Sequence, residues 1–495
     1  MAGLPEGSYV PMNFNSLIFI YLFLPAVTAG FFLAGKHGRR AADGFLLAAC
    51  LVFYAFAGIP AALLLLASSA ATFALTECTG KAREKGNSGK GSFLIAVFLN
   101  IGLLLFFKYT NFFLDTAGTL LQRQLPQPSV LLPLGISFYT FSQLAFCAER
   151  YHGKLGNVTF PQYLLYVSYF PKLSQGPIMQ PSAFFEQLSG ENRTRPDAHR
   201  FVTAAQMFTL GLAKKLFLAD TFAKAAAFGY QNYRNCTTFD VIIVMLSYSL
   251  QIYFDFSSYC DMAAAVSMML NIDLPLNFNS PYKAVSVTEF WKRWHITLTD
   301  FFRTYVYFPL GGSRKGKLRT YRNIMIVFLI SGFWHGANWT FVVWGLLHGA
   351  AQCFERIFKK PLSYVPKIIR WFFTFFFVNA AWLLFGASSF AQWRYLTAQL
   401  FNGGYILNQE LAGLLRIPGL RAVLQLLGFS VSDSVVFTLS AVILLGTGLI
   451  LCLFTKNLQE RKYKAGKPQL VLTALLLVLC AASTGTVSTF IYSNF

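Results

Sequence analysis

The chain has 495 residues, of which 55% are hydrophobic, 17% aromatic and only 12% charged, with a mean hydropathy of +0.50. Soluble domains carry about 25% charged residues, so this composition excludes a soluble globular protein and leaves little chain for a separate aqueous domain. The net charge of +21 belongs, in an integral membrane protein, to cytoplasmic loops rather than to nucleic-acid contacts.

The eight cysteines include no C-x-x-C pair and several lie within apolar runs. There they act as small hydrophobes, so neither a zinc site nor a disulfide framework is expected. Residues 1–15 lack a basic n-region and no clear A-x-A site follows the apolar stretch 16–35, which reads as a retained first span. Met12 is an alternative start, which would make residues 1–11 a short extension.

Leu17–Ala34 is the first predicted span, closed by Lys36, Arg39 and Arg40. The apolar run Gly44–Thr76 is too long for one helix, and Gly58-Ile59-Pro60 breaks it into a hairpin. Lys81, Arg83, Lys85 and Lys90 follow, so both basic loops face the cytoplasm and the N-terminus faces outward. Phe93–Phe107 crosses outward and Val130–Ala148 returns. Pro161–Met179 holds Y-F-P-K-L-S-Q-G-P-I, a lysine with two prolines and a glycine in an apolar setting. A broken helix at membrane depth needs protein or a cavity to satisfy its backbone, so a re-entrant segment is predicted. A helix over Phe201–Ala219 carries Lys214 and Lys215, and Val241–Leu270 holds Asp255 and Asp261. Those carboxylates fall on different helix faces, and capping or pairing with a base is expected.

Ser286–Tyr305 reads S-V-T-E-F-W-K-R-W-H-I-T-L-T-D-F-F-R-T-Y. Phe290, Trp294, Leu298, Phe301 and Tyr305 form one apolar stripe, with Lys292, Arg293, Asp300 and Arg303 largely opposite. This predicts one amphipathic helix on the membrane surface, with His295 at the edge of the stripe. The loop that follows places Arg314, Lys315, Lys317, Arg319 and Arg322 within nine residues. Two compatible readings stay open: a topology signal, or a site for an anionic cytoplasmic ligand such as the phosphates of an acyl carrier.

Ser331–Gly349, S-G-F-W-H-G-A-N-W-T-F-V-V-W-G-L-L-H-G, puts His335 and His348 in an otherwise apolar run. Ionisable groups are costly at membrane depth and by default mark function, although a core histidine bonded to a backbone carbonyl is the alternative. If Gly336–Gly349 is helical, His348 lies roughly 20 Å along the axis from His335 on a different face, as a structural or donor-side residue. Further spans are read at Phe341–Phe354, Trp371–Gly386, Val435–Phe454 and Leu470–Tyr492, with 388–432 a moderately polar outer loop and 456–467 a basic inner one. The expected fold is an all-α, polytopic transmembrane helical bundle of about eleven spans plus re-entrant and interfacial helices. It forms one integral-membrane domain: N-terminal spans (16–280), a histidine-bearing core (281–358) and C-terminal spans (359–495). No internal repeat is visible, which weighs against many secondary transporters.

Taken together, W-K-R-W-H-I-T-L-T-D-F-F-R-T-Y-V-Y-F-P-L-G-G-S-R-K-G and S-G-F-W-H-G-A-N-W-T-F-V-V-W-G-L-L-H-G resemble the membrane-bound O-acyltransferase family. Within it, the likeness is to the branch containing the alginate O-acetylation membrane subunit. M-N-F-N-S-L-I-F-I-Y-L-F-L-P, L-P-L-G-I-S-F-Y-T-F, G-L-A-K-K-L-F-L-A-D and Y-F-D-F-S-S-Y-C-D-M-A extend it through nearly the whole chain. Ser258, Cys260 and Glu149 depart from the branch's usual residues without touching either histidine. The resemblance implies His335 as the family's intramembrane histidine and His295 as its second active-site position. It further implies acetyl-CoA or another acyl thioester as donor substrate, with no bound cofactor. A polysaccharide acceptor, an extracytoplasmic acetyltransferase partner and a multi-pass location in the inner (cytoplasmic) membrane are implied as well. D-alanyl transfer to teichoic acid and a non-catalytic acyl-group transporter are the rival readings.

The chemistry can be argued independently. Acyl transfer from a thioester to an alcohol needs a base for the hydroxyl proton, and histidine, with an unperturbed pKa near 6.5, suits it. Burial favours the neutral ring. A second polar group should orient the base or bind the donor carbonyl, with His295 the first candidate and Asn338 the weaker. Trp334, Trp294, Arg314 and Lys315 complete the expected substrate-binding set. No metal ligands are expected, and the absence of a G-x-S-x-G elbow argues against a serine-hydrolase triad.

Overall fold

The structure, a computed structural model, describes residues 12–464, 466–483 and 488–491. The proposed extension 1–11 and part of the last expected span therefore lie outside the described residues. Every regular element among the described residues is helical, and the chain forms two compact units that interleave along the sequence.

The first unit contains the chain up to Leu210, then Tyr259–Leu276 and the stretch from Lys462. A π turn, Phe19–Phe23, leads into α1 (Leu24–Gly35), followed by α2 (Arg39–Ala55) and α3 (Ile59–Glu84). The hairpin between α2 and α3 turns where the sequence predicts. Gly58 adopts φ 113°, open only to glycine, and Pro60 occupies the first turn of α3. Then come α4 (Lys90–Leu120) and α5 (Ile136–Tyr151), which is buried along nearly its whole length. A Thr159/Gln162 capping box opens α6 (Phe160–Ser168), which breaks at Tyr169 before the single turn α7 (Phe170–Leu173). This is the interruption predicted for Pro161–Met179. The Tyr169 hydroxyl meets Ser267 Oγ at 2.8 Å, so the break is held by side chains. α8 (Pro181–Leu188) and α9 (Ala198–Ala213) follow.

In the second unit the helix continues through a π turn, Lys214–Ala219, into α10 (Asp220–Gln231). Lys215 Nζ lies 2.6 Å from Asp255 Oδ1 and 2.9 Å from Asp220 Oδ1, so the expected pairing of Asp255 with a base is present. Asp255 sits on α11 (Thr238–Met269). The remaining helices are α12 (Val287–Arg293), α13 (Ile296–Phe302), α14 (Lys317–His335), α15 (Trp339–Ile357), α16 (Lys359–Ser363), α17 (Lys367–Phe385), α18 (Phe390–Asn402), α19 (Gln409–Leu414), α20 (Leu420–Leu426) and α21 (Asp433–Phe454). The chain returns to the first unit with α22 (Lys467–Ser483).

Two expectations change here. The stretch 388–432 is not simply a loop but carries α18, α19 and α20, the first two capped by Ser389 and Asn408. The single amphipathic helix over Ser286–Tyr305 is also replaced by α12 and α13, which break at Trp294-His295. Its aromatic stripe does not face lipid: Phe290, Trp294, Leu298 and Phe301 are buried inside the protein. The periodicity correctly marks an apolar face, but tertiary partners rather than a bilayer cover it.

Among the described residues, six helical runs are long and apolar enough to cross a membrane: α3, α4, the continuous run Ala198–Gln231, α11, α17 and α21. Two shorter apolar helices, Phe19–Gly35 and Lys467–Ser483, accompany them. The other expected crossings fall on shorter or less apolar helices, α15 among them.

Candidate active site

The site is built on the hairpin of α14 and α15. His335 is the last residue of α14, because Gly336 turns into extended backbone and the chain reverses within three residues. Asn338 caps α15, its Oδ1 accepting from Thr340 N at 3.0 Å while its Nδ2 donates to the Ser388 carbonyl at 2.9 Å. The two helices touch backbone to backbone. A β-carbon on Gly332 would meet the Phe341 carbonyl oxygen, and one on Gly345 would meet that of Phe328. The His335 ring is 1% exposed and lies edge-on to Trp334 (4.9 Å between centroids), Trp344 (5.1 Å) and Phe385 (5.3 Å). Standing at a helix C-terminus, it gains there about 0.3–1 kcal/mol for any positive charge that develops on the ring.

His295 is fully buried and occupies the break between α12 and α13 in the left-handed region, φ 44° and ψ 53°. That conformation is uncommon for a non-glycine residue and costs of order 1–3 kcal/mol. Its ring packs edge-on against Phe256 at 4.8 Å and against Trp334 at 6.2 Å. Trp334 thus packs against both histidines, bringing together two positions 40 residues apart.

The His295 Nδ1 lies 3.1 Å from Asn277 Oδ1, while Nε2 has no hydrogen-bond partner among the described residues. Burial pushes this imidazole down to about 3, which favours the neutral ring. Asn277 was missed by sequence reasoning. It lies in an irregular stretch with no periodicity, and only an asparagine in a largely apolar neighbourhood hinted at it.

The other expected site residues divide. Trp334 joins the two histidines. Trp294 does not: its indole stacks on Phe290 and packs on Phe278 and Trp382, in the aromatic core beneath. Both amide atoms of Asn338 are engaged in the capping contacts. Arg314 and Lys315 are exposed, in a loop turned by Gly311 and Gly312 at positive φ. His348 corrects the estimate of 20 Å from His335. Because the chain reverses at Gly336–Asn338, one ring, Trp344, packs against both His335 (5.1 Å) and His348 (4.7 Å). His348 Nδ1 accepts from Trp291 Nε1–H at 3.1 Å, a bond that ties α15 to α12.

This arrangement can do proton chemistry in an aromatic cage: two buried imidazoles, one on a helix terminus and one on a strained turn, with the exposed basic loop at the opposite end of α14. Comparison with known proteins gives it a family. The model of the MBOAT, membrane-bound O-acyltransferase family, matches residues 49–393. The chain is 37% identical over 410 residues to a peptidoglycan O-acetyltransferase of Helicobacter pylori, covering 76% of this chain and 77% of the relative. It is 33% identical over 409 residues to a probable alginate O-acetylase of Pseudomonas aeruginosa, covering 80% and 76%. A teichoic acid D-alanyltransferase of Streptococcus thermophilus is 30% identical over 253 residues, covering 48% and 60%. The chain belongs to the membrane-bound O-acyltransferase family and is a multi-pass membrane O-acyltransferase.

Proposed function

We propose that this protein transfers an acetyl group from acetyl-CoA, on the cytoplasmic side of the cytoplasmic membrane, to hydroxyls of an exported polysaccharide, working with an extracytoplasmic partner. The observation that carries this reading is the convergence of His335 and His295 on Trp334, in a cage closed to water. The relatives that cover 76–80% of the chain are named as O-acetylating proteins, at 33–37% identity, whereas those named as teichoic acid D-alanyltransferases cover 48–58% of it at 26–30% identity.

In this reading His335 is the general base. An acceptor oxygen attacks the thioester carbonyl carbon as its proton passes to the imidazole. The tetrahedral adduct then collapses, the carbon–sulfur bond breaks, and the imidazolium returns the proton to the departing thiolate. The exposed Arg314, Lys315, Lys317 and Arg319 hold the phosphates of the donor. No covalent enzyme intermediate is needed.

The test is acetyl transfer by the purified protein in liposomes, using labelled acetyl-CoA and alginate or peptidoglycan fragments, with and without the extracytoplasmic partner. Label in the saccharide, lost on His335→Ala, is the expected result. Transfer of D-alanine from a carrier-protein thioester instead, or movement of an acylated species without bond exchange, would overturn it.

A further inference from the structure

Asn277 reaches the His295 turn with both its backbone and its side chain. Its carbonyl accepts the Ile296 N–H at 3.0 Å, across the left-handed residue. Its Oδ1 receives Thr297 Oγ1 at 2.9 Å, the Thr297 backbone N–H at 3.3 Å, and His295 Nδ1 at 3.1 Å. Asn277 is itself fully buried.

The orientation of the amide follows from these partners. A backbone N–H can only donate, so the atom facing Thr297 must be the amide oxygen and not its NH₂. An oxygen can only accept, so the bond to His295 requires the proton on Nδ1. In a neutral ring, that leaves Nε2 as a lone pair.

We infer that Asn277 is a positioning residue for the acyl transfer, holding the His295 imidazole in its Nδ1–H form so that Nε2 serves only as a hydrogen-bond acceptor. The inference rests on the reading of His295 as part of the site. It also separates the two roles open for that residue. A lone pair cannot bind the carbonyl oxygen of the donor, which is itself an acceptor. It can receive a hydrogen bond from the acceptor hydroxyl or from the N–H of a second imidazole. His295 therefore works on the side of the nucleophile and its base. The left-handed backbone belongs to the same device, because the bonds that hold the turn also aim the ring.

The contacts made by the His295 ring among the described residues include Phe256 and Trp334, packed edge-on, and the Asn277 amide oxygen. A carboxylate introduced at 277 would stand in direct hydrogen-bond contact with His295 Nδ1.

The experiment compares the full-length protein with Asn277→Leu and Asn277→Asp in lipid nanodiscs, by two readouts. The first is acetyl transfer against pH. Asn277→Leu, close in size and without an acceptor, should lower kcat about ten- to a hundredfold, as loss of an orienting partner does, with KM for acetyl-CoA nearly unchanged. Asn277→Asp keeps the acceptor and should restore most of kcat. Its negative charge favours the imidazolium, so activity should be lost on acidification at a pH about one unit or more above that of wild type. The second is ¹⁵N NMR of histidine-labelled protein, the His295 signals being those absent from His295→Gln. Wild type should show Nδ1–H with a bare Nε2, and Asn277→Leu should lose that preference. A wild-type Nε2–H signal, a wild-type pH profile in Asn277→Leu, or equal losses in both variants without a shift would each overturn the inference. A wild-type protein with no acetyl transfer would instead sink the proposed function, leaving the tautomer to be decided by the spectra.

Discussion

The proposed role of His335 draws on position as well as type, since it is the last residue of α14 and is buried inside a ring of aromatics. His335→Ala should remove the general-base contribution, about 10²–10⁴-fold in rate, without loss of expression or membrane insertion. Polymer acetyl content together with protein yield checks both halves. If His295 and His335 act on one reacting centre, their losses should not multiply. His295→Ala alone should cost much of the rate, and the double variant should be little worse than His335→Ala. Multiplying losses, or a silent His295→Ala, would make His295 a packing residue. Both histidines were legible in the sequence because an ionisable group in an apolar run stands out. Asn277 was not, since its role depends on which loop folds back over it.

At the scale of elements, the hairpin of α14 and α15 decides the site. It closes because Gly332 and Gly345 let two backbones meet, so a larger residue must push the helices apart. Gly345→Leu should destabilise the protein by about 1–3 kcal/mol, the usual cost of overpacking, and lower activity by displacing His335. Thermal unfolding in detergent, read alongside turnover, tests this, and an unchanged melting temperature would refute the close-packing argument. The π turn Lys214–Ala219 makes a second case. Lys215 is buried against Asp255 and Asp220, and removing one member of a buried pair leaves an uncompensated charge worth about 3–5 kcal/mol. Lys215→Met should therefore unfold at clearly lower temperature, and Lys215→Met with Asp255→Asn should recover part of the loss. If the double variant is no better than the single one, the pairing is not what stabilises this turn.

For the whole molecule, charge sets orientation. The basic stretches 36–40, 81–90, 314–322 and 456–467 should all face the cytoplasm. Single cysteines placed in each, in a cysteine-free background, should react with an impermeant maleimide only after the membrane is opened. Labelling of 314–322 from the outside alone would remove the proposed donor site and reverse the direction of transfer. Neutralising Arg314 and Lys315 to Gln should raise KM for acetyl-CoA by about two- to fivefold each, as expected of exposed ion pairs. It should also flatten the dependence of KM on ionic strength. A KM indifferent to both changes would leave the loop with orientation as its only function.

Composition and hydropathy by themselves determined the class of the protein, because apolar length and charge placement are properties of the chain read residue by residue. The glycine–proline hairpin after α2, the break between α6 and α7 and the pairing of Asp255 came through for the same reason, and the two histidines drew notice in the same way: each announces itself locally, by a backbone requirement or by an ionisable group in an apolar run. Other features came only from the fold. Periodicity assumes that a helix continues, so it gave one amphipathic helix where the chain breaks at His295. It likewise put His348 far from His335 where the chain reverses at Gly336–Asn338. It also could not say what covers an apolar stripe, since burial in protein and burial in lipid select the same residues. The tautomer of His295 is the furthest from the sequence. It is decided by an amide 18 residues upstream, whose orientation is imposed by a backbone N–H that exists as a partner only after the turn has formed.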